Sequence, residues 1–411
     1  MNGTTLRTGD QPRFVRNPAV DEGPWGPPAS EVLSLEGHGL ARREIASWPG
    51  YAPTPLRRLE GLAAALGLGR LWYKDEGKRF GLGSFKALGG PYGVYRILAR
   101  RVAERTEEAE PDSAEIIAGT HREIVAGLTV SCTSTGNHGR AVAWGARLFG
   151  CRCVIFVPDW VSEGRTAAIA GHGARVERLA GGYDEGIRLV AERAQKEGWY
   201  LISDNSQVPG TEHVAGHVMH GYTVVVAEAL EELGRRGERP PTHVFVPAGV
   251  GGLAAAVTGY LKGTLRDRGP VMIVVESEAA DCVLQSVRAG RRVRLDGPLE
   301  TMMGGLACRE ASPNAWEVLR RGAHFCLAIS DEDSRRAMRL LADGRDGDPP
   351  IVVGESGAAA TAGLLLAARH LEVRHAMGLK AMSRVLVIGT EGATDPEIYA
   401  RIVGKRPDEV S

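Results

Sequence analysis

The stretch "HVFVPAGVGGLAAAVTGYL", residues 243–261, holds the fold in miniature. A strand runs into Ala248-Gly249-Val250-Gly251-Gly252 and then into an alanine-rich helix. That order leaves bare backbone N–H groups at the positive end of a helix dipole, which suits a phosphate. A plain tight turn has the same appearance, and no lysine follows in the manner of a nucleotide P-loop. Working outward, β-branched runs such as "CVIFVP", "ARVERLA", "WYLISD", "VMIVVESE" and "RVLVIGTEG" alternate with helical patterns such as "EGRTAAIAGHG" and "DEGIRLVAERAQKE". Alternation of this kind predicts an α/β fold, a parallel sheet with helices on its faces. Several strands end directly in glycine or an acid, where open α/β sheets place their ligands.

A chain of 411 residues is long enough for two domains, each with its own core. Fifty basic residues balance fifty acidic ones, which argues against a broad electrostatic footprint for nucleic acid or anionic lipid and points to a small-molecule partner. No apolar run approaches a membrane helix, and the polar start "MNGTTLRTGDQPRF" lacks the apolar core of a secretion signal, so a cytoplasmic protein is expected. The six cysteines are scattered without CxxC spacing, so reduced, mostly buried thiols are expected. The first fifty residues, with "NPAVDEGPWGPP", read as an arm that wraps a body. The charged segment "RVAERTEEAEPDSAEIIAGTHREI" reads as a surface helix and loop.

Five further stretches are weighed for chemistry. In "RFGLGSFKALGG", residues 79–90, Lys86 stands beside Phe85 and among Gly81, Gly83, Gly89 and Gly90. A lone lysine near a helix start is ordinarily a solvated surface residue. Here the glycines let another molecule approach the backbone, Phe85 offers a flat face to a ring, and a sheltered amine of lowered pKa is what Schiff-base chemistry requires. In "SCTSTGNHGRAVAWGARLFG", residues 131–150, Ser134, Thr135, Gly136, Asn137 and His138 form a turn at a helix N-terminus. Such a turn fits an anion such as a carboxylate, and equally an ordinary cap made by Ser134 or Thr135. "VLVIGTEGATDPEIY" leaves Thr390 and Glu391 at a strand end, where Thr390 either offers a hydroxyl to a ring nitrogen or caps a turn. "GESGAAATAGLLLAA", residues 354–368, packs alanines in a helix and brings Glu355 and Ser356 to its start. His213, His217 and His220 in "EHVAGHVMH" share a helix face, but without the HExxH order or an obvious third ligand they read as surface or subunit-contact histidines, and no metal is expected.

Taken in order from about residue 50 to residue 400, these stretches resemble the second fold type of pyridoxal-phosphate enzymes, the group of tryptophan synthase β-chains and serine or threonine dehydratases. Within it, "KDEGKRFGLGSFKALGG", "GNHGRAVAWGARLFG", "GARVERLAGGYDE", "GESGAAAT" and "TEGATDPEIY" look most like diaminopropionate ammonia-lyase. The resemblance implies two domains, each a mostly parallel twisted sheet flanked by helices. Residues 51–90 and 215–411 would form a large cofactor-binding domain, residues 91–214 a small substrate-side domain, and residues 1–50 the arm. It implies that pyridoxal 5'-phosphate is held covalently by Lys86, with Phe85 beside it, Asn137 at the ring's phenolic oxygen, Gly249, Val250, Gly251 and Gly252 at the phosphate, and Thr390 at the pyridine nitrogen. The implied reaction is α,β-elimination from an L-amino acid such as 2,3-diaminopropionate, with β-replacement or hydroxy-amino-acid dehydration as the alternatives and a non-catalytic cofactor-binding regulator as a reading of another class. Lys86 would take the Cα proton, while Ser134, Thr135, Gly136 and His138 lie on the substrate side. Asp204 in "YLISDNSQ" falls where the lyase has an active-site acid, to pair with a β-amino group, and it fits a capping or surface role as well. Where the lyase reads "TDGNHGR", with an aspartate that serves as base for the D-substrate, this chain reads "STGNHGR" with Thr135, whose hydroxyl cannot act as a base near neutral pH. A homodimer is implied by the likeness alone.

Overall fold

The computed structural model describes residues 12–21, 23, 25–179 and 183–410. Most of the polar start, and residues 180–182 within "GARVERLAGGYDE", lie outside the described residues. Eleven strands are numbered here in chain order: β1 Phe14–Arg16, β2 Leu56–Arg58, β3 Arg70–Asp75, β4 Thr129–Thr133, β5 Arg152–Pro158, β6 Arg175–Leu179, β7 Tyr200–Leu201, β8 His243–Pro247, β9 Val271–Ser277, β10 Phe325–Ile329 and β11 Arg384–Gly389. They form two sheets, one ordered β1-β10-β9-β8-β11-β3-β2 and the other β6-β5-β4-β7. The smaller sheet is wholly parallel. The larger is parallel through its five central strands and closes with antiparallel β1 and β2 at its edges. The α/β pattern read from the sequence is the fold observed.

Because successive side chains of a strand face opposite ways, both sheets carry two apolar faces. In β8, Val244 and Val246 point inward while Phe245 points outward; in β5, Ile155 and Val157 face inward while Val154 and Phe156 face the outer helix side. The inner faces do not keep separate cores as the length alone suggests. Helix Lys86–Thr106 packs against both Glu212–Arg235 and Asn137–Phe149, so one cluster runs from Val130 and Ile155 of the small sheet to Val244 and Leu386 of the large. At the crossing of the first two helices, a Cβ on Gly221 would lie 2.8 Å from the Cα of Gly89, an approach only bare glycines permit.

The N-terminal residues are tied down by β1, which pairs with β10, and by helix Leu35–Ser47, which packs on Glu212–Arg235. The charged segment after the helix Lys86–Thr106 is less superficial than its composition suggests. Its Ser113 and Ile116 are buried, Ser113 N–H donating to Glu44 at 2.9 Å and its hydroxyl accepting from Trp48 at 3.1 Å. A buried ionic network fixes the segment that leads to Lys86. Glu228 of the long helix accepts from Lys74 of β3 at 2.6 Å and from Arg79 at 2.7 Å, and Arg79 also meets Glu76 at 2.8 Å. All four side chains are essentially inaccessible, so losing one would strand a partner's charge, at a cost of about 3–5 kcal/mol. Among the described residues no helix is long and apolar enough to cross a membrane.

Candidate active site

A cavity of about 630 Å³ opens where β4, β7, β8 and β11 end, and the residues following those strands line it. This is the carboxyl end of the sheets, where α/β folds bind ligands. Lys86, the first residue of its helix, projects into this space and donates to the Asp204 carboxylate, which arrives from the loop after β7. Their side chains are 19% and 22% exposed, reachable from the cavity yet largely shielded. Lys86 Nζ also lies 5.1 Å from the ring centre of Phe85 and 5.5 Å from that of Tyr222, whose rings meet edge to face at 4.7 Å.

Two expectations about Lys86 change here. Burial does work to lower its pKa, but the Asp204 charge outweighs it and holds the amine well above the usual lysine range. On the other side of the pair, burial favours neutral Asp204, and the Lys86 charge overrides that and holds the carboxyl well below the usual range. The glycines near Lys86 are also not all openings for a ligand. A Cβ at Gly89 would collide with Tyr222 at 2.3 Å, and Gly90 faces Ala141 and Val142, so these two admit neighbouring helices. Gly81 and Gly83 instead supply left-handed turns, with φ of +70° and +72°.

The turn after β4 is built as a cap. Ser134 Oγ accepts from the N–H groups of Gly136 at 3.0 Å and Gly139 at 2.8 Å, which leaves its own O–H free to donate. Thr135, Gly136 and Asn137 line the cavity with it. His138 Nε2 lies 2.8 Å from the carbonyl of Ile202, two residues before Asp204, and burial lowers the ring's pKa. As a neutral donor, it braces the loop that presents the carboxylate.

Across the cavity, Gly249 to Gly252 form the turn from β8 into helix Gly252–Leu265, with Gly251 in the left-handed region at φ +91°. A Cβ on Gly249 would sit 2.7 Å from the Gly305 carbonyl and 2.8 Å from Cys308 Sγ, so the close approach of these walls demands glycine. The first N–H groups of such a helix have no acceptor within it and suit an anion. Burial, followed by the Asp204 charge, pushes the Cys308 thiol up to about 12, so it stays protonated. All six cysteines are free.

Thr390, 4% exposed, lines the cavity directly after β11, and its carbonyl accepts from Phe85 N–H at 3.1 Å. Beside it, Glu391 accepts from Asn137 Nδ2 and from Ser356 N–H, the latter at 3.0 Å. Burial, and after it the Glu391 charge, pushes the Glu355 carboxyl up to about 7. Arg165 from helix Glu163–Ala170 faces Glu355 at 3.7 Å and Asp395 at 3.8 Å. Tyr222, Arg165 and Cys308 line this space without any local motif in the sequence to mark them, and Arg140 joins them from the "GNHGR" turn. Of the three histidines expected at the surface or at a subunit contact, His213 is exposed, while His217 and His220 are partly buried against neighbouring helices. His220 packs against Gly37 of the N-terminal helix, His217 meets the Tyr92 ring at 6.3 Å, and burial lowers both pKa values. Among the described residues no cluster of three or more His, Cys, Asp or Glu side chains is arranged to hold a metal.

Pyridoxal phosphate fits these walls. The amine is shielded but reachable, and the anion turn is one that a Cβ would fill. Fold and cavity together define a pyridoxal-phosphate enzyme of the second fold type. The family model of pyridoxal-phosphate dependent enzymes matches residues 47–390, and the chain belongs to that family. It is 36% identical over 385 residues to a diaminopropionate ammonia-lyase of Salmonella typhimurium, a match that covers 90% of this chain and 94% of the relative. The crystal structure of holo diaminopropionate ammonia lyase from Escherichia coli superposes with a TM-score of 0.87 at 33% identity, covering 96% of each chain. The same enzyme in complex with an aminoacrylate-PLP azomethine reaction intermediate gives a TM-score of 0.83 at 32% identity, covering 96% of this chain and 97% of that one. Within its family the chain is an ammonia-lyase.

Proposed function

We propose that this ammonia-lyase acts by α,β-elimination on an L-amino acid with an amino group on its β-carbon, such as 2,3-diaminopropionate, giving a 2-oxo acid and ammonia. The pairing of Lys86 with Asp204 in the cavity wall carries this reading. Lys86 would hold pyridoxal phosphate, with Asn137 at the phenolic oxygen, Gly249 to Gly252 at the phosphate, Thr390 at the ring nitrogen and Phe85 beside it. When bound, that cofactor supplies an electron sink that weakens the bonds at Cα. Lys86, as an uncharged free amine, would take the proton from Cα. The Ser134 and Thr135 hydroxyls, with the N–H groups that open helix Asn137–Phe149, hold the substrate carboxylate. Asp204, kept ionised, acts as counter-ion to a cationic β-substituent and not as a proton donor.

Thr135 stands at the turn without a carboxylate, so no side chain there can take a proton from the D-isomer at neutral pH. The domain division belongs to the same proposal. Residues 91–214 contain every strand of the small sheet, and residues 51–90 with 215–411 contain every strand of the large one except β1 of the arm. A homodimer rests on the family likeness alone. The purified enzyme, given L- and D-2,3-diaminopropionate and L-serine, should release pyruvate and ammonia fastest from the L-diamine. Preferred turnover of the D-diamine, or a β-substituted amino acid as main product when a nucleophile is supplied, would overturn the assignment.

A further inference from the structure

We infer that Glu391 is a positioning residue for the cofactor: its carboxylate fixes the Asn137 amide so that an N–H, and not the amide oxygen, faces the ring's phenolic oxygen. The inference rests on the proposed contact between Asn137 and the cofactor. Glu391 is 8% exposed at the end of β11, and two donors converge on it from different parts of the fold. Ser356 N–H from the "GESG" turn reaches Oε1 at 3.0 Å, and Asn137 Nδ2, from the first residue of helix Asn137–Phe149, reaches Oε2. Two donors need two acceptors, which a carboxylate has and a carboxamide lacks.

The orientation of the Asn137 amide follows. Arg140 Nη2 donates to Asn137 Oδ1 at 3.3 Å, and a guanidinium can only donate, just as a carboxylate can only accept. With Oδ1 turned to Arg140 and one Nδ2 hydrogen given to Glu391, the second Nδ2 hydrogen is the group left for a ligand in the cavity that both residues line. The "GESG" motif gains a physical reason from this contact. A Cβ on Gly354 would lie 3.1 Å from Glu391 Cγ and Oε1 and crowd the carboxylate, and one on Gly357 would lie only 2.6 Å from the Glu391 carbonyl oxygen and displace the backbone that carries it.

The test uses purified holoenzyme and reads the absorption band of the bound cofactor and its rate of release on dilution. Glu391→Gln keeps the shape but offers one acceptor and one donor, so it should shift the band and release the cofactor about tenfold faster, as loss of a charged hydrogen bond implies. Asn137→Ala should do the same, and the double variant should be no worse than Asn137→Ala alone, because residues that act through one contact are not additive. Glu391→Asp, which keeps both acceptors a methylene short, should fall between wild type and Glu391→Gln, and it carries the test if Glu391→Gln fails to fold. An unchanged band and release rate in the position 391 variants, beside an altered Asn137→Ala, would overturn the positioning role alone. No change in Asn137→Ala would remove the cofactor contact itself, and the positioning role with it.

Discussion

Lys86 sits in a wall that should strip its charge, and a single carboxylate reverses the outcome. Replacing Asp204 by Asn removes the main charge that opposes burial, so the amine should deprotonate more easily, and the rising limb of kcat against pH should move to lower pH. The same variant should lose more kcat/KM on the cationic L-diamine than on L-serine, since only the former presents a charge to position 204. Glu355 also has a raised pKa, which for a carboxyl favours the uncharged form. Its ordinary value of 4.5 applies to the unfolded chain, while the folded chain holds its proton up to about 7. Below pH 4.5 both states are protonated and its contribution to stability is fully present; as pH rises through about 7 that contribution is lost. Glu355→Gln should therefore flatten the fall in urea midpoint between those two pH values. Lys86, Asn137, Thr390 and the glycine turn were legible because each lies in a compact local motif. Asp204 was legible by likeness alone. Tyr222 and Arg165 were not, because each comes from a helix whose sequence has no feature that marks the one residue reaching the cavity.

Between elements, the contact that matters is the crossing of Lys86–Thr106 with Glu212–Arg235. Gly89 and Gly221 let the backbones touch, and Tyr222 fills the groove over Gly89 with its ring against Phe85. Gly221→Ala would force the helices apart, so it should cost about 1–3 kcal/mol of unfolding free energy and move Tyr222 off Lys86. Denaturation of the variant, with the absorption of its bound cofactor, measures both. Glycines beside a reactive lysine look alike in sequence whether they face a ligand or a helix. Only the packing shows that Gly89 and Gly90 face helices, whereas Gly249 faces the cavity-lining Gly305 and Cys308.

Over the whole molecule, the two sheets share an apolar cluster built from the inner face of each. Unfolding should therefore be a single transition, with circular dichroism and tryptophan fluorescence giving coincident urea midpoints; two separated midpoints would show that the sheets melt independently. The period of two in the strands and the glycines at their ends made the α/β class readable. Strand order was not readable, since the neighbours β11 and β3 are brought together by over three hundred residues of intervening chain whose pairing depends on the entire sheet. The touching glycines at that crossing carry one more consequence. Under the proposed domain division, the polypeptide would leave the large domain and re-enter it near these two glycines, which makes residues 91–214 an insert with neighbouring ends. On that division, exchanging the insert for the matching stretch of a relative should graft a different substrate side onto an intact cofactor side, provided the two bare junction positions are retained.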